Sequence, residues 1–421
     1  MKTSRSSSRF SALGPGVLYA ATAVGASHLV QSTRAGASYG LALVLLILLT
    51  FITKYPAFRF GTQYASVTGK SLLHGYRNQG WWAVGIYVII ALGTMFAAIP
   101  AVTLLTAGLA KVAFGLPMGT LAISTVILTG CTLILIFGGY TLLDRLVKVL
   151  MVVLTIATVT ATILIIPKID WATSGSLMPT GFAASDVFFF VALLGLMPTS
   201  VDISVWQSLW TVAKASTSKH PPTLRDSLFD FHVGYVGAFV LAFCFVLLGT
   251  GVMFHSGLEF KADAVGFAGQ LIDLYKKALG AWSGPLIGIA AFAVMLSTVL
   301  AGLDGYPRAA VNLFRLFSDK SSPPDTRLSK VVYSSSLIVL VVVSLLIMYL
   351  FVTSLKLVID IASTIMFLFA PIVAWLNHRA MTHPKLPPEG RPGKALLALS
   401  AFGVIWMAAF SAYFLYLRML S

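Results

Sequence analysis

Eleven apolar stretches, at 13–36, 39–58, 81–109, 118–138, 142–166, 184–212, 234–254, 281–303, 331–354, 357–377 and 395–417, take up most of this 421-residue chain. A bilayer's hydrocarbon core is about 30 Å thick, and a helix crosses it with about 20 apolar residues. In lipid every backbone N–H and C=O has to be satisfied internally, so spans of this length are read as helices. The composition agrees: 58% of the residues are hydrophobic and 10% charged, where a soluble chain has about a quarter charged. The expected fold is all-α, one membrane domain over 1–421 with eleven transmembrane helices and no attached soluble domain.

A net charge of +15 would suggest a nucleic-acid partner in a soluble protein. Here the placement of the charge gives a plainer account. With the N-terminus in the cytoplasm, the tail 1–12 and the alternate loops on that side hold 21 of the 29 Lys and Arg. That bias follows the positive-inside rule and puts the C-terminus outside, in the cytoplasmic or plasma membrane. No nucleic acid is expected. The partners are the lipid bilayer and a small inorganic ion or small solute, with no obligatory protein partner. Lys2, Arg5 and Arg9 before a run ending Ala23-Val24-Gly25-Ala26 have the outline of a signal peptide. Cleavage would leave ten spans and discard the basic tail, so the segment is expected to stay.

No P-loop, zinc-ligand cluster or nucleophile elbow occurs in the sequence. Neither an enzyme nor a cofactor is expected, and ATP-driven transport would need another subunit. Cys131 and Cys244 sit in apolar runs and read as small packing residues. The Pro- and Ser-rich loops "KASTSKHPPTLRD", "DKSSPPDTRLSK" and "HPKLPPEGRPGK" read as solvated linkers.

Ionisable residues at membrane depth are costly, about 2.5–3.5 kcal/mol even on the milder insertion scale, so each is a candidate for function. Asp186, Asp202, Asp304, Asp360, His28 and Lys54 lie in or near spans. Two spans also look broken. Gly25-Ala26-Ser27-His28 interrupts the first, and Met197-Pro198-Thr199 the sixth, with Asp202 shortly after. Proline removes a backbone donor, glycine eases unwinding, and unwound backbone survives at depth only where it lines protein or a polar cavity. Breaks at matching places in two five-helix halves, 13–166 and 184–377, point to an inverted-repeat transporter with its site near the midplane. The helix at 395–417 is then an extra one.

The residues resemble the NRAMP divalent-metal transporters, which are built on the LeuT-like fold. Gly14-Pro15-Gly16 is similar to the family's "GPG", "AGASYG" at 35–40 to its "AGAxFG", and Met197-Pro198 to the start of its "MPH". "KYPAFRFGTQYASVTGKSLLHGY", 54–76, is similar to the segment after its second helix. The resemblance implies a 5+5 inverted repeat with broken helices 1 and 6, and a symporter working by alternating access on a divalent transition-metal ion. The departures concern the site. Gly25 and His28 stand where the family's "DPGN" has its Asp and Asn, Thr199 replaces the histidine of "MPH", and 93–105 has none of the family's helix-three acids.

The candidate substrate-binding residues are Gly25, Ser27, His28, Met197, Thr199 and Asp202. Of these His28, Met197 and Asp202 could hold a soft transition metal through imidazole, thioether and carboxylate. Each has a plainer role open to it. Asp202 suits the start of the second half-helix, where an acid is favoured, and His28 could hydrogen-bond a facing helix. Asp360 is a possible proton relay, alternatively a hydrated residue near the outer end. Lys54 and Arg34 are expected to snorkel to the inner and outer surfaces, and Asp304 to pair with Arg308. Trp206 opens a second reading. The chain would then be a LeuT-like transporter of a small organic or other non-metal solute that has lost metal binding.

Overall fold

Proline is at home in the first turn of a helix, where its missing N–H costs nothing. There α1 begins, at Pro15–Ala23. From Val24 to Ser32 the backbone winds as a wider π-helix, and Gly25 leaves helical geometry (φ −61°, ψ −130°). α2, Thr33–Tyr39, follows directly and stops at Gly40, whose φ of 58° a helix does not accommodate. These coordinates come from a computed structural model that describes residues 13–174, 176, 186–218, 220–254, 261, 263–317, 326–351 and 355–420. The expected tail 1–12, residues 184–185 and 352–354 of two expected spans, and 318–325 of a Pro-rich loop lie outside the described residues.

The chain continues through α3 (Val44–Thr68), α4 (Leu72–Gln79), α5 (Trp81–Phe114), α6 (Thr120–Ile165), the short turn α7 (Trp171–Ser174) and α8 (Asp186–Leu196). After an irregular stretch at 197–202 come α9 (Ile203–Thr217), α10 (Leu224–Met253), α11 (Ala264–Leu279), α12 (Ser283–Phe317), α13 (Thr326–Phe351), α14 (Leu355–Thr382) and α15 (Lys394–Leu420). Regular structure among the described residues is all helical.

Nine stretches among the described residues are long and apolar enough to cross a membrane. The expected first and sixth spans are not among them, because each is divided into pieces too short to cross alone. The fourth and fifth differ in another way. Both fall on the 46-residue α6, as apolar stretches 120–137 and 151–168, the second running three residues past its end. The break expected at 139–141 does not occur, and 120–165 contains no proline to end the helix. α10 also starts ten residues before its apolar stretch. Its start is set by a capping box, in which Thr223 accepts from the Asp226 N–H and Asp226 from the Thr223 N–H, both at 3.2 Å.

Between helices in lipid the drive is close packing rather than the hydrophobic effect. α1 and α10 show it. A Cβ on Gly16 would fall 2.0 Å from the Asp230 carbonyl oxygen, and one on Gly234 would fall 2.0 Å from that of Gly16. The Asp230 carboxylate then accepts from the N–H groups of Gly14 (3.0 Å) and Gly16 (2.7 Å) at the N-terminus of α1. A carboxylate there satisfies orphan donors and complements the helix dipole. α1, the π-helical stretch and the first nine residues of α9 (203–211) are almost wholly buried, whereas α13 and α15 turn residues such as Ile338, Val342, Ile405 and Tyr416 outward. Cys131 and Cys244 are buried and unpaired, as packing residues would be.

Candidate functional site

The two interruptions meet. Ser27 Oγ, in the π-helical stretch, lies 3.1 Å from the carbonyl oxygen of Pro198, in the irregular stretch between α8 and α9. Ser32 Oγ lies 3.9 Å from Met197 Sδ, a second tie between the same segments. Beside them is a cavity of about 60 Å³, room for a few waters. Ser27, Thr199, Ser200, Thr22, Thr298 and Tyr306 bring hydroxyls to its wall, and Ala26, Ile99, Leu196, Ile203 and Met366 bring carbon. Trp206 closes one side, packed edge-on against Tyr306 at 4.4 Å. Its buried indole N–H makes no hydrogen bond among the described residues, nor does either amide atom of Gln207 beside it.

Of the six residues expected to bind substrate, Ser27 and Thr199 line this cavity. The other four are buried close to the interruptions but outside the wall. Thr298 explains Gly25: a Cβ at position 25 would fall 2.6 Å from Thr298 Oγ1 and 2.8 Å from its Cγ2. The same hydroxyl donates to the carbonyl of Ala21 at 2.8 Å, so Thr298 occupies this ground and bonds backbone near the end of α1.

His28 is fully buried, with both ring nitrogens engaged. Nε2 is 2.9 Å from the Ala238 carbonyl, which can only accept, so Nε2 carries the proton. In the neutral ring Nδ1 is then an acceptor, 2.7 Å from Ser27 Oγ. Met197 is buried, and its carbonyl is taken by Lys54. Asp202 stands immediately before α9 but makes no side-chain capping bond. Its carboxylate turns to α5 and accepts from Thr94 Oγ1 at 2.8 Å and from Ser200 Oγ. Among the described residues, no three His, Cys, Asp or Glu side chains gather as a metal site.

Lys54 departs from expectation. It does not reach for a membrane surface. It is 2% exposed and points inward to the end of α8, donating to the carbonyls of Leu194, Gly195 and Met197. Arg34 also stays inside rather than snorkelling. It lies 5.0 Å from the centre of the Phe189 ring and donates to Gln31 at 3.1 Å. It meets Asp360, for which a relay and a hydrated outer-end residue are the two readings, across 3.8 Å, and the Asp360 side chain is 41% exposed. Asp304 pairs with Arg308 at 2.7 Å as expected, and also accepts from Trp210 Nε1 and the Tyr333 hydroxyl, each at 2.9 Å.

The roles of Thr298, Thr94 and Lys54 escaped sequence reasoning. Lys54 alone left a signal: a lysine within an apolar span needs acceptors, and a broken helix has spare carbonyls.

This fold has known counterparts. The family model described as "Natural resistance-associated macrophage protein-like" matches residues 16–417. The chain belongs to the Nramp family. That membership makes it an integral membrane protein of a transporter family, not of an enzyme family. An uncharacterized protein of Pasteurella multocida is 33% identical over 413 residues, 97% of this chain and 92% of that one. Among solved structures, the Eremococcus coleocola manganese transporter in complex with an aromatic bis-isothiourea compound is similar with a TM-score of 0.68 at 15% identity, covering 98% of this chain and 87% of that one. A nucleobase-cation-symport-1 family transporter with bound bromovinylhydantoin follows at TM-score 0.59 and 14% identity, covering 97% and 93%. At such identities the likeness concerns the fold. This Nramp chain thus shares a scaffold with transporters of unlike cargo, and its own cavity wall has to indicate what it carries.

Proposed function

We propose that this protein is a secondary transporter working by alternating access, and that its cargo is a small polar organic solute rather than a divalent metal ion. One observation carries the reading. The cavity between the two interruptions is walled by hydroxyls and carbon, with no carboxylate among its lining residues. A divalent cation is costly to dehydrate and asks for several hard or anionic ligands. Hydroxyls that already donate to backbone keep lone pairs to offer, and the Trp206 N–H is a spare donor. A solute with both donors and acceptors matches such a wall.

In this reading the nine undivided spans and the two interrupted ones make eleven crossings. Residues 13–166 and 184–377 are the two inverted halves, and the N-terminus is cytoplasmic and the C-terminus outside. Ser27, Thr199 and Ser200 touch the cargo. Gly25, His28, Met197 and Asp202 shape the interruptions around it. A cavity of about 60 Å³ holds nothing larger than a few waters, so loading requires the half-helices to part. The Arg34–Asp360 pair joins α2 to α14 on the expected outer side and would open with them.

A second reading keeps the family's metal. It is favoured by the Met197 thioether, which lies at the interruption, and by the fold of a manganese transporter. Proteoliposomes loaded with a metal-sensing dye separate the two. We expect no manganese, iron or cadmium flux above empty liposomes and no binding by calorimetry. Saturable flux lost on Met197→Ala would overturn the first reading and establish the second.

A further inference from the structure

The last carbonyls of a helix have no partner within it, and in α8 proline adds to the shortage. Pro198 lacks the N–H that the carbonyl of Leu194 would otherwise accept. Lys54 Nζ, from α3, supplies what is missing. It donates to Leu194 O at 2.6 Å, Met197 O at 2.7 Å and Gly195 O at 3.2 Å. An ammonium has three protons, and all three are used. Lys54 is 2% exposed, and it forms no ion pair with a carboxylate among the described residues. A buried charge without a counter-charge is very costly. This one is held by carbonyl dipoles and by the negative end of α8.

We propose that these three carbonyls form a monovalent-cation site that the chain fills with its own lysine. Half-helix ends in interrupted spans bind sodium or protons in secondary transporters generally, because converging carbonyls replace a hydration shell. Here the cation is tethered. The interruption in the sixth span therefore needs no dissolved ion to hold it together. The tethered charge also repels a second cation from this place. The inference does not depend on the nature of the cargo, and its test involves no transport.

The test is thermal melting of the detergent-solubilised protein. Lys54→Ala vacates the site, leaving room for a small cation. In choline chloride this variant should melt several degrees below the wild type. Ammonium, ethylammonium or potassium chloride should restore at least half of the loss, saturably, and leave the wild type unmoved. Equal responses of variant and wild type to these salts would overturn the proposal. Lys54→Met keeps the stem without the charge and covers the case in which Lys54→Ala does not fold. It should melt below the wild type, and an equal midpoint would likewise overturn the proposal.

Discussion

Gly25→Ala tests whether Thr298 has taken the ground that a side chain at position 25 would need. The added Cβ falls 2.6 Å from Thr298 Oγ1 and 2.8 Å from Cγ2. Thr298 is 7% exposed and anchored to the Ala21 carbonyl at 2.8 Å, so it yields only by breaking that bond. Overpacking of this kind costs about 1–3 kcal/mol, and the lost hydrogen bond about 1 kcal/mol more. Replacing glycine returns at most about 1 kcal/mol through the unfolded chain. The net expectation is a loss of roughly 1–3 kcal/mol. Thr298→Ala removes both clashing atoms and leaves Cβ at 3.1 Å. The double variant should therefore be more stable than the sum of the single ones, by about 1 kcal/mol or more. Denaturant titration of the solubilised protein, followed by tryptophan fluorescence, measures all three. Gly25→Ala within about 0.5 kcal/mol of the wild type, or strict additivity, would refute the reasoning. On the same logic Gly25→Asp alone should not create manganese binding in calorimetry, because the carboxylate has no space until Thr298 is reduced.

Other residues lead to measurements of their own. His28→Ala forfeits the bonds to Ala238 and Ser27, and should cost roughly 1–3 kcal/mol in the same titration; an unchanged midpoint would show that the ring is not structural. Arg34→Ala should change stability by less than about 1 kcal/mol, because the pair is long at 3.8 Å and its Asp360 side is 41% exposed. It should nonetheless speed labelling of Ser27→Cys by an impermeant reagent in a cysteine-free background; equal rates would remove the pair from any gate. Asp304→Asn leaves the Arg308 guanidinium without its counter-charge and should cost roughly 3 kcal/mol; a loss under about 1 kcal/mol would mean that the pair is well solvated.

The sequence marks backbone more readily than side-chain direction. Pro198 and Gly25 have local consequences, since one removes a donor and the other eases unwinding. Both interruptions were therefore legible from their own residues. Helix ends were less so, because hydropathy marks the oily stretch while a capping box, as at Thr223, marks where winding begins. The break expected between the fourth and fifth spans, at 139–141, is one that the backbone does not make, since no proline there removes a donor. Ser27 and Thr199 fall on the cavity wall because they belong to the interruptions themselves. Asp202 did not, since a residue beside a break can face either way and its partner Thr94 lies on another helix. Lys54 finds its acceptors 140 to 143 positions away. No window of sequence brings those atoms together.

The contact between Gly16 and Gly234 has a mechanical meaning. With backbone against backbone and Asp230 gripping its first N–H groups, α1 can neither slide along α10 nor roll on it without collision. The same helix grips the chain beyond the interruption: a Cβ on Gly36 would fall 2.1 Å from the Val246 carbonyl oxygen, and one on Gly249 would fall 2.3 Å from that of Thr33. α10 therefore splints both sides of Gly25, and the first interrupted span can shift only together with α10 as one body.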